Sequence, residues 1–243
     1  MWKPAGLALA LILVASPSAA TIGGEEQLLY RWRLDGWLGN LAALFLPSHG
    51  DGVLSREQVD GGVVRSELLV TSSNTRADEY FRYGAEWEPT TGRTLSAWSE
   101  LVWRGERKTK RASLDSADVV GIASAIDLLR RQPPERVRRL EIWSDGSVYP
   151  VMIVPRGRVR REVDGRKVDV RRISVLGVNV PGRKLWKGEL DLWIADDPHA
   201  TPVEILVARR GAKVRLELVA ANRELPRADQ KPATREERKE ESR

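Results

Sequence analysis

The chain has 243 residues, no cysteine, only two histidines, and a net charge of +6 spread over 40 basic and 34 acidic side chains. Disulfide, thiol and cysteine-ligated metal chemistry are therefore excluded, and two distant histidines make a serine-histidine triad or a zinc site a poor fit. Such a chain holds together by burying an apolar core, and its length suits one large β domain or two small ones.

Residues 1–20, MWKPAGLALALILVASPSAA, carry Lys3 as the sole charge, then an apolar run from Ala5, then Ser18, Ala19 and Ala20. That is the three-part plan of a secretory leader, and the apolar run is short of the roughly 20 residues of a membrane-spanning helix. The expectation is a periplasmic protein processed before Thr21. Without cysteine it carries no lipidated N-terminus.

Tyr30, Trp32 and Leu34 alternate with Arg31, Arg33 and Asp35, the period of a strand with one buried face. Next comes LGNLAALFLP, an apolar stretch without that alternation. VDGGVV at 59–64, TTGR at 90–93 and RGER at 104–107 read as connections between strands. In TLSAWSELVW, Leu95, Ala97, Leu101 and Trp103 share one parity, while Trp98 and Val102 share the other. A strand that is apolar on both faces is covered on both sides or lines a cavity.

Val119, Ile122, Ile126 and Leu129 step by three, four and three, which predicts one helix of about four turns starting near Asp115 or Ser116 and stopped by Pro133-Pro134. Beyond it, RLEIWSDGSVYPVMIV and RVRREVDGRKVDVRRISV each read as strand, Asp-Gly turn, strand. The second hairpin is dense in arginine. Arg158, Arg160 and Glu162 share one strand face, with Arg172 on the partner. These guanidinium groups either grip phosphate or carboxylate head groups, or simply guard an exposed edge hairpin against aggregation.

ELDLWIADDPHATPVEI raises a sharper question, because Asp196, Asp197 and His199 sit together. Leu190, Leu192 and Ile194 mark one strand face, and Val203, Ile205 and Val207 the next, so ADDPHAT reads as the turn between them. Trp193 keeps company with Glu189 and Asp191 on the opposite face. Val214, Leu216 and Leu218 supply a third strand of the meander. The final segment, 222–243, mixes many charges with a single large apolar side chain, and the prediction is a disordered tail.

The helix ending in double proline, the WSDGSVYPV hairpin and GELDLWIADDPHATPVEILV resemble an exported bacterial family designated domain of unknown function family 3108. In that family a strand with a central tryptophan runs into an acidic turn and a proline-valine pair opens the return strand, here Trp193, Asp196, Asp197, Pro202 and Val203. The likeness spans residues 28 to 219, stronger after Asp115. It implies envelope localisation and a β-rich fold. It implies no reaction and supplies no catalytic residue.

No P-loop, dinucleotide glycine fingerprint, G-x-S-x-G elbow or H-E-x-x-H occurs. Carboxylate-only catalysis needs only two acids close in space, so it stays open at this point, with nothing in the sequence pointing to it. The fold expected is mainly β, an antiparallel barrel or half-barrel of about ten strands over 21–221 with one packed α-helix. The function expected is non-catalytic binding of a hydrophobic or anionic envelope component, without cofactor, metal or nucleic acid, and with peripheral membrane contact left open. Trp98, Trp103 and Trp193 are the expected ligand-lining residues, with Arg158 and Arg160 near the mouth. The competing reading is an envelope scaffold that offers a sheet edge or the basic hairpin to a protein partner.

Overall fold

The computed structural model describes residues 26–35, 49–72, 79–163, 165–209 and 212–221. The expected leader, the apolar stretch after Asp35 and the charged tail lie outside the described residues. Thirteen strands and one helix follow in order. They are β1 (Glu26–Asp35), β2 (His49–Gln58), β3 (Val64–Ser72), β4 (Tyr80–Trp87), β5 (Thr94–Trp103), β6 (Glu106–Ser116) and β7 (Val119–Gly121), then helix α1 (Ile122–Arg131), then β8 (Arg138–Ser144), β9 (Ser147–Val163), β10 (Arg166–Gly177), β11 (Gly188–Ala195), β12 (Pro202–Arg209) and β13 (Ala212–Ala221).

All thirteen strands form one sheet in the order β6-β5-β4-β3-β2-β1-β13-β12-β11-β10-β9-β8-β7. Two meanders, β1 to β6 and β8 to β13, are joined where β1 pairs antiparallel with β13, with Trp32 opposite Leu216 and Leu28 opposite Ala221. Every pairing is antiparallel except β7 with β8, which the helix crossover makes parallel. The sheet rolls into a nearly closed barrel whose two edges, β6 and β7, overlap rather than join in a ladder. A Cβ built on Gly121 of β7 would stand 3.0 Å from the Ala85 Cβ and 3.3 Å from the Ala97 Cβ, and Trp143 of β8 packs on the same two alanines. Small side chains on β4 and β5 thus let one end of the sheet lie on the other.

Most of the interior is filled. Tyr30, Leu54, Leu68, Ile153, Ile173, Leu192, Ile205 and Leu216 all belong to one buried cluster with Ile126 and Leu129 of the helix. The alternation read in β1 holds, with Leu28, Tyr30 and Trp32 buried and Leu29, Arg31 and Arg33 exposed. The tight turn at Asp145-Gly146 has φ of 50° and 83°, as a two-residue hairpin with the right-handed twist requires.

Two expectations need correction. The helix is shorter than four turns and begins at Ile122, because Val119–Gly121 pair with Glu141–Trp143 as β7, and β-branched valines suit that ladder. Asp115 and Ser116 belong to β6, and the first turn is tied instead by Ser124, whose Oγ accepts the Gly121 amide at 3.0 Å. The strand count is thirteen rather than ten. Two of the strands lack an apolar face to read: β2 carries glycines where large residues would stand, and β6 is exposed along most of its length.

Candidate functional site

Among the described residues, one end of the barrel is not filled. There a pocket of about 370 Å³ is walled by Trp32 and Leu34 of β1, Val70 of β3, Phe81 of β4, Leu101 and Trp103 of β5, and Val214 of β13, and its surface is almost entirely carbon. Pairing register creates this wall. Val70 faces Phe81 and Phe81 faces Leu101, so three strands contribute one continuous apolar row. Trp32 reaches the row because β2 gives way. A Cβ on Gly50 would lie 2.0 Å from the Thr71 carbonyl oxygen and 2.5 Å from the Trp32 Nε1, so glycine alone leaves room for the indole to donate to that oxygen at 2.6 Å. Phe81, 40 % exposed, stands where the pocket opens.

Glu79 also lines this pocket and is almost wholly buried at 7 % exposure. Its Oε1 accepts the backbone amide of Arg104 at 3.1 Å. Among the described residues no cation lies within ion-pair distance of it. The Arg104 guanidinium is instead held over the Trp103 ring, 5.8 Å from its centre.

The other end of the barrel is polar. β1 runs from Glu26, which lines a basin of about 500 Å³, to Leu34 at the apolar pocket, about 26 Å of extended chain. In the basin Arg130, at the last turn of α1, joins Glu26 at 2.7 Å, Asp127 at 3.3 Å and the carbonyls of His199 and Ala200. Burial works against the Arg130 charge, and the Glu26 hydrogen bond with the nearby Asp127 outweighs it, so its proton is held more tightly than usual. Asp127 in turn accepts from Ser66 Oγ at 2.9 Å, and Ser66 Oγ accepts from Trp87 Nε1 at 3.0 Å. This chain of bonds rivets the helix, β3, β4, β1 and the β11–β12 turn together.

The Asp196-Asp197-His199 cluster lies here as the expected turn. Asp197 Oδ1 accepts the amides of His199 at 2.8 Å and Thr201 at 3.2 Å, and Asp196 pairs with Arg171 and Arg158. Both carboxylates are thus engaged in shaping and anchoring the corner. Among the described residues no group of three or more His, Asp or Glu side chains is placed to hold a metal ion.

The five residues singled out by sequence do not converge. Trp103 lines the apolar pocket. Trp98 does not: it lies on the outer face of β5, flat against Gly84 of β4, with the Arg111 guanidinium 5.4 Å from its ring centre. Trp193 is buried, but on the outer face, covered by the guanidinium groups of Arg161, Arg172 and Arg215 at 5.1 to 5.9 Å. β9 and β12 are three strands apart in the sheet, about 14 Å, yet Arg161 reaches Glu204 at 3.5 Å. The β9–β10 hairpin therefore curls over that face and covers Trp193. Arg158 and Arg160 are paired with Asp196 at 3.2 Å and Asp169 at 3.0 Å, on the hairpin and the basin rim rather than at the apolar mouth. The hairpin is an edge over part of its length only, because β8 pairs with β9 no further than Ile153. Sequence reading missed Trp32, Val70, Phe81 and Glu79; the glycines of HGDGV beside an alternating aromatic strand were the available signal.

No family model and no curated protein matches the chain, so the resemblance to family 3108 gains no support there. Solved structures similar to it include a β-barrel-like protein of the domain of unknown function DUF1849 from Brucella abortus, at 10% identity over 81% of this chain and 96% of that one, with a TM-score of 0.44. Another is the hypothetical lipoprotein YmcC from Escherichia coli, at 12% identity over 79% of this chain and 86% of that one, with a TM-score of 0.38. The lipoprotein LppX of Mycobacterium tuberculosis is 12% identical over 84% of this chain and 90% of that one, with a TM-score of 0.30. At such identities and scores the likenesses carry nothing about ligand or partner.

Proposed function

We propose that the protein is an exported, non-catalytic binder of an envelope amphiphile, taking a hydrocarbon chain into the end of its barrel. One observation carries this reading: the pocket of about 370 Å³ is walled by seven apolar side chains from five strands and lies within the usual size range of small-molecule sites. A packed interior below it sets the depth. The ligand is gripped at one end of the barrel and does not thread through it. No helix among the described residues is long and apolar enough to cross a membrane.

The test is titration of the purified full chain with the neutral apolar dye N-phenyl-1-naphthylamine, together with mass spectrometry of its organic extract. Saturable dye fluorescence, displaced by a lipid recovered in the extract, is the expected result. An absence of dye binding would remove the reading.

A scaffold role is favoured by a different feature. Among the described residues β9 has no ladder partner on the β8 side beyond Ile153, so its outer half offers unpaired backbone to an added strand. Retention of a defined envelope protein, lost when Val159 becomes proline, is the outcome that would support it.

A further inference from the structure

The apolar row that walls the pocket does not stop at β5. Val70, Phe81 and Leu101 stand in register across β3, β4 and β5, and the next residue of that row, on β6, is Lys108. β6 is the last strand of the sheet on that side, and the chain is exposed without a break from Arg104 to Arg111. Within that stretch Arg104, Arg107, Lys108, Lys110 and Arg111 are basic, against Glu106 alone. Glu106 pairs with Lys108 and Glu100 of β5 pairs with Arg107, both at 3.1 Å, which leaves Arg104, Lys110 and Arg111 without an ion pair among the described residues. The β9–β10 hairpin differs, because its Arg158, Arg160 and Arg161 are answered by Asp196, Asp169 and Glu204.

An edge guarded only against self-association can use charges of either sign. The β5–β6 hairpin carries an excess of one sign, and carries it where the pocket opens. Beside these cations Phe81 is 40 % exposed, Trp103 is half-buried beneath the Arg104 guanidinium, and Tyr80 Oη accepts from Arg107 at 3.3 Å. An apolar mouth flanked by aromatic rings and cations has the composition of a surface that sits where acyl chains meet head groups.

We infer that this end of the barrel docks on an anionic lipid bilayer, with Phe81 and Trp103 at the head-group level and the cations of the β5–β6 hairpin against the lipid phosphates. The inference rests on the proposed function in taking the pocket as an entrance, through which a hydrocarbon chain passes from bilayer to barrel without crossing water. Each cation near such a surface adds to the attraction, and salt screens it.

The full chain is mixed, at low and at high salt, with vesicles of phosphatidylcholine alone or of equal parts phosphatidylcholine and phosphatidylglycerol, and the bound fraction is read by sedimentation. Wild type is expected to bind the anionic vesicles about tenfold or more tighter than the neutral ones and to lose most of that preference at high salt. Lys108→Gln combined with Lys110→Gln is expected to weaken binding about tenfold. Arg166→Gln combined with Lys167→Gln, an equal change of charge at the exposed β9–β10 turn, is expected to alter it by less than about twofold. Phe81→Asn is expected to weaken it about fivefold. Equal binding to both vesicles, equal losses in the two double variants, or an unaffected Phe81→Asn overturns the docking surface. Tighter retention on immobilised polyglutamate than on the anionic vesicles makes an acidic protein the partner and overturns the bilayer. Dye binding without vesicle binding removes the docking and leaves the pocket reading standing; vesicle binding with this pattern but no dye binding keeps the docking and removes the pocket reading. The wild-type comparison needs no variant, so a poorly folding one does not rescue the inference.

Discussion

Arg130 and Glu26 stand 104 residues apart in sequence and 2.7 Å apart in the fold, with only 5 % and 13 % of their side chains exposed. The pair fixes the end of the helix to the start of the first strand. Breaking a buried pair from one side strands its partners. Arg130→Met removes one buried donor each from Glu26, from Asp127, which keeps Ser66 and Arg56, and from two backbone carbonyls, and is expected to lower unfolding free energy by about 3–5 kcal/mol. Urea denaturation measures this, and a loss below about 1 kcal/mol would contradict the rivet.

Trp98 packs where Gly84 has no side chain. A Cβ there would lie 2.1 Å from two indole carbons, so Gly84→Ala is expected to cost about 1–3 kcal/mol. The added methyl should become harmless once the ring is gone. Gly84→Ala made in a Trp98→Ala background is expected to cost little or nothing further, a coupling that a double-mutant cycle of thermal unfolding reads directly.

Leu101 belongs to the apolar row and is only half-buried, so its replacement tests binding without emptying the core. Leu101→Asn is expected to weaken N-phenyl-1-naphthylamine binding by about fivefold or more while costing about 1 kcal/mol of stability. Trp98→Ala, on the outer face, is expected to leave dye affinity within about twofold. The opposite pattern would place the ligand outside the barrel.

The Arg65 guanidinium donates to Glu86 at 2.9 Å and holds that carboxyl below its ordinary 4.5, with a further hydrogen bond from Ser96 and partial burial opposing. The native state then binds this proton less tightly than the unfolded chain. The contribution is present above 4.5 and is lost as pH falls through the lower native value. Glu86→Gln, which cannot ionise, is expected to lose less stability than wild type between about pH 6 and about pH 3. Chemical denaturation at the two pH values gives the comparison, and identical slopes for the two proteins would remove the ion pair from the account.

Sequence pattern revealed the β11–β13 meander, because Leu190, Leu192, Val203, Ile205, Leu216 and Leu218 alternate cleanly and the Asp-Pro corner separates two of its strands. It did not reveal β2, whose Gly50 and Gly52 face inward and carry no apolar signal, their purpose being to admit Trp32, Tyr30 and Leu216. Nor could parity in TLSAWSELVW say which face is inner. Trp98 and Trp103 fall on opposite sides, and only the neighbouring strands decide that Trp103 meets the pocket while Trp98 meets Gly84. Trp193 had the composition of a ligand platform; its cover is supplied by arginines from β9, β10 and β13, residues that sequence distance hides. Glu79 was invisible for a related reason, since a lone acid becomes informative only once its apolar surroundings are known.

Joining β1 to β13 has a consequence for how the molecule is made. Leu28 must wait for Ala221, so β1 gains its second neighbour only after the ribosome has passed every other strand of the sheet. Closure of that kind is slow, because the entropy of a very long loop is lost before any contact rewards it. A nascent chain halted anywhere short of the last hairpin displays a naked strand flank, the species on which self-association begins.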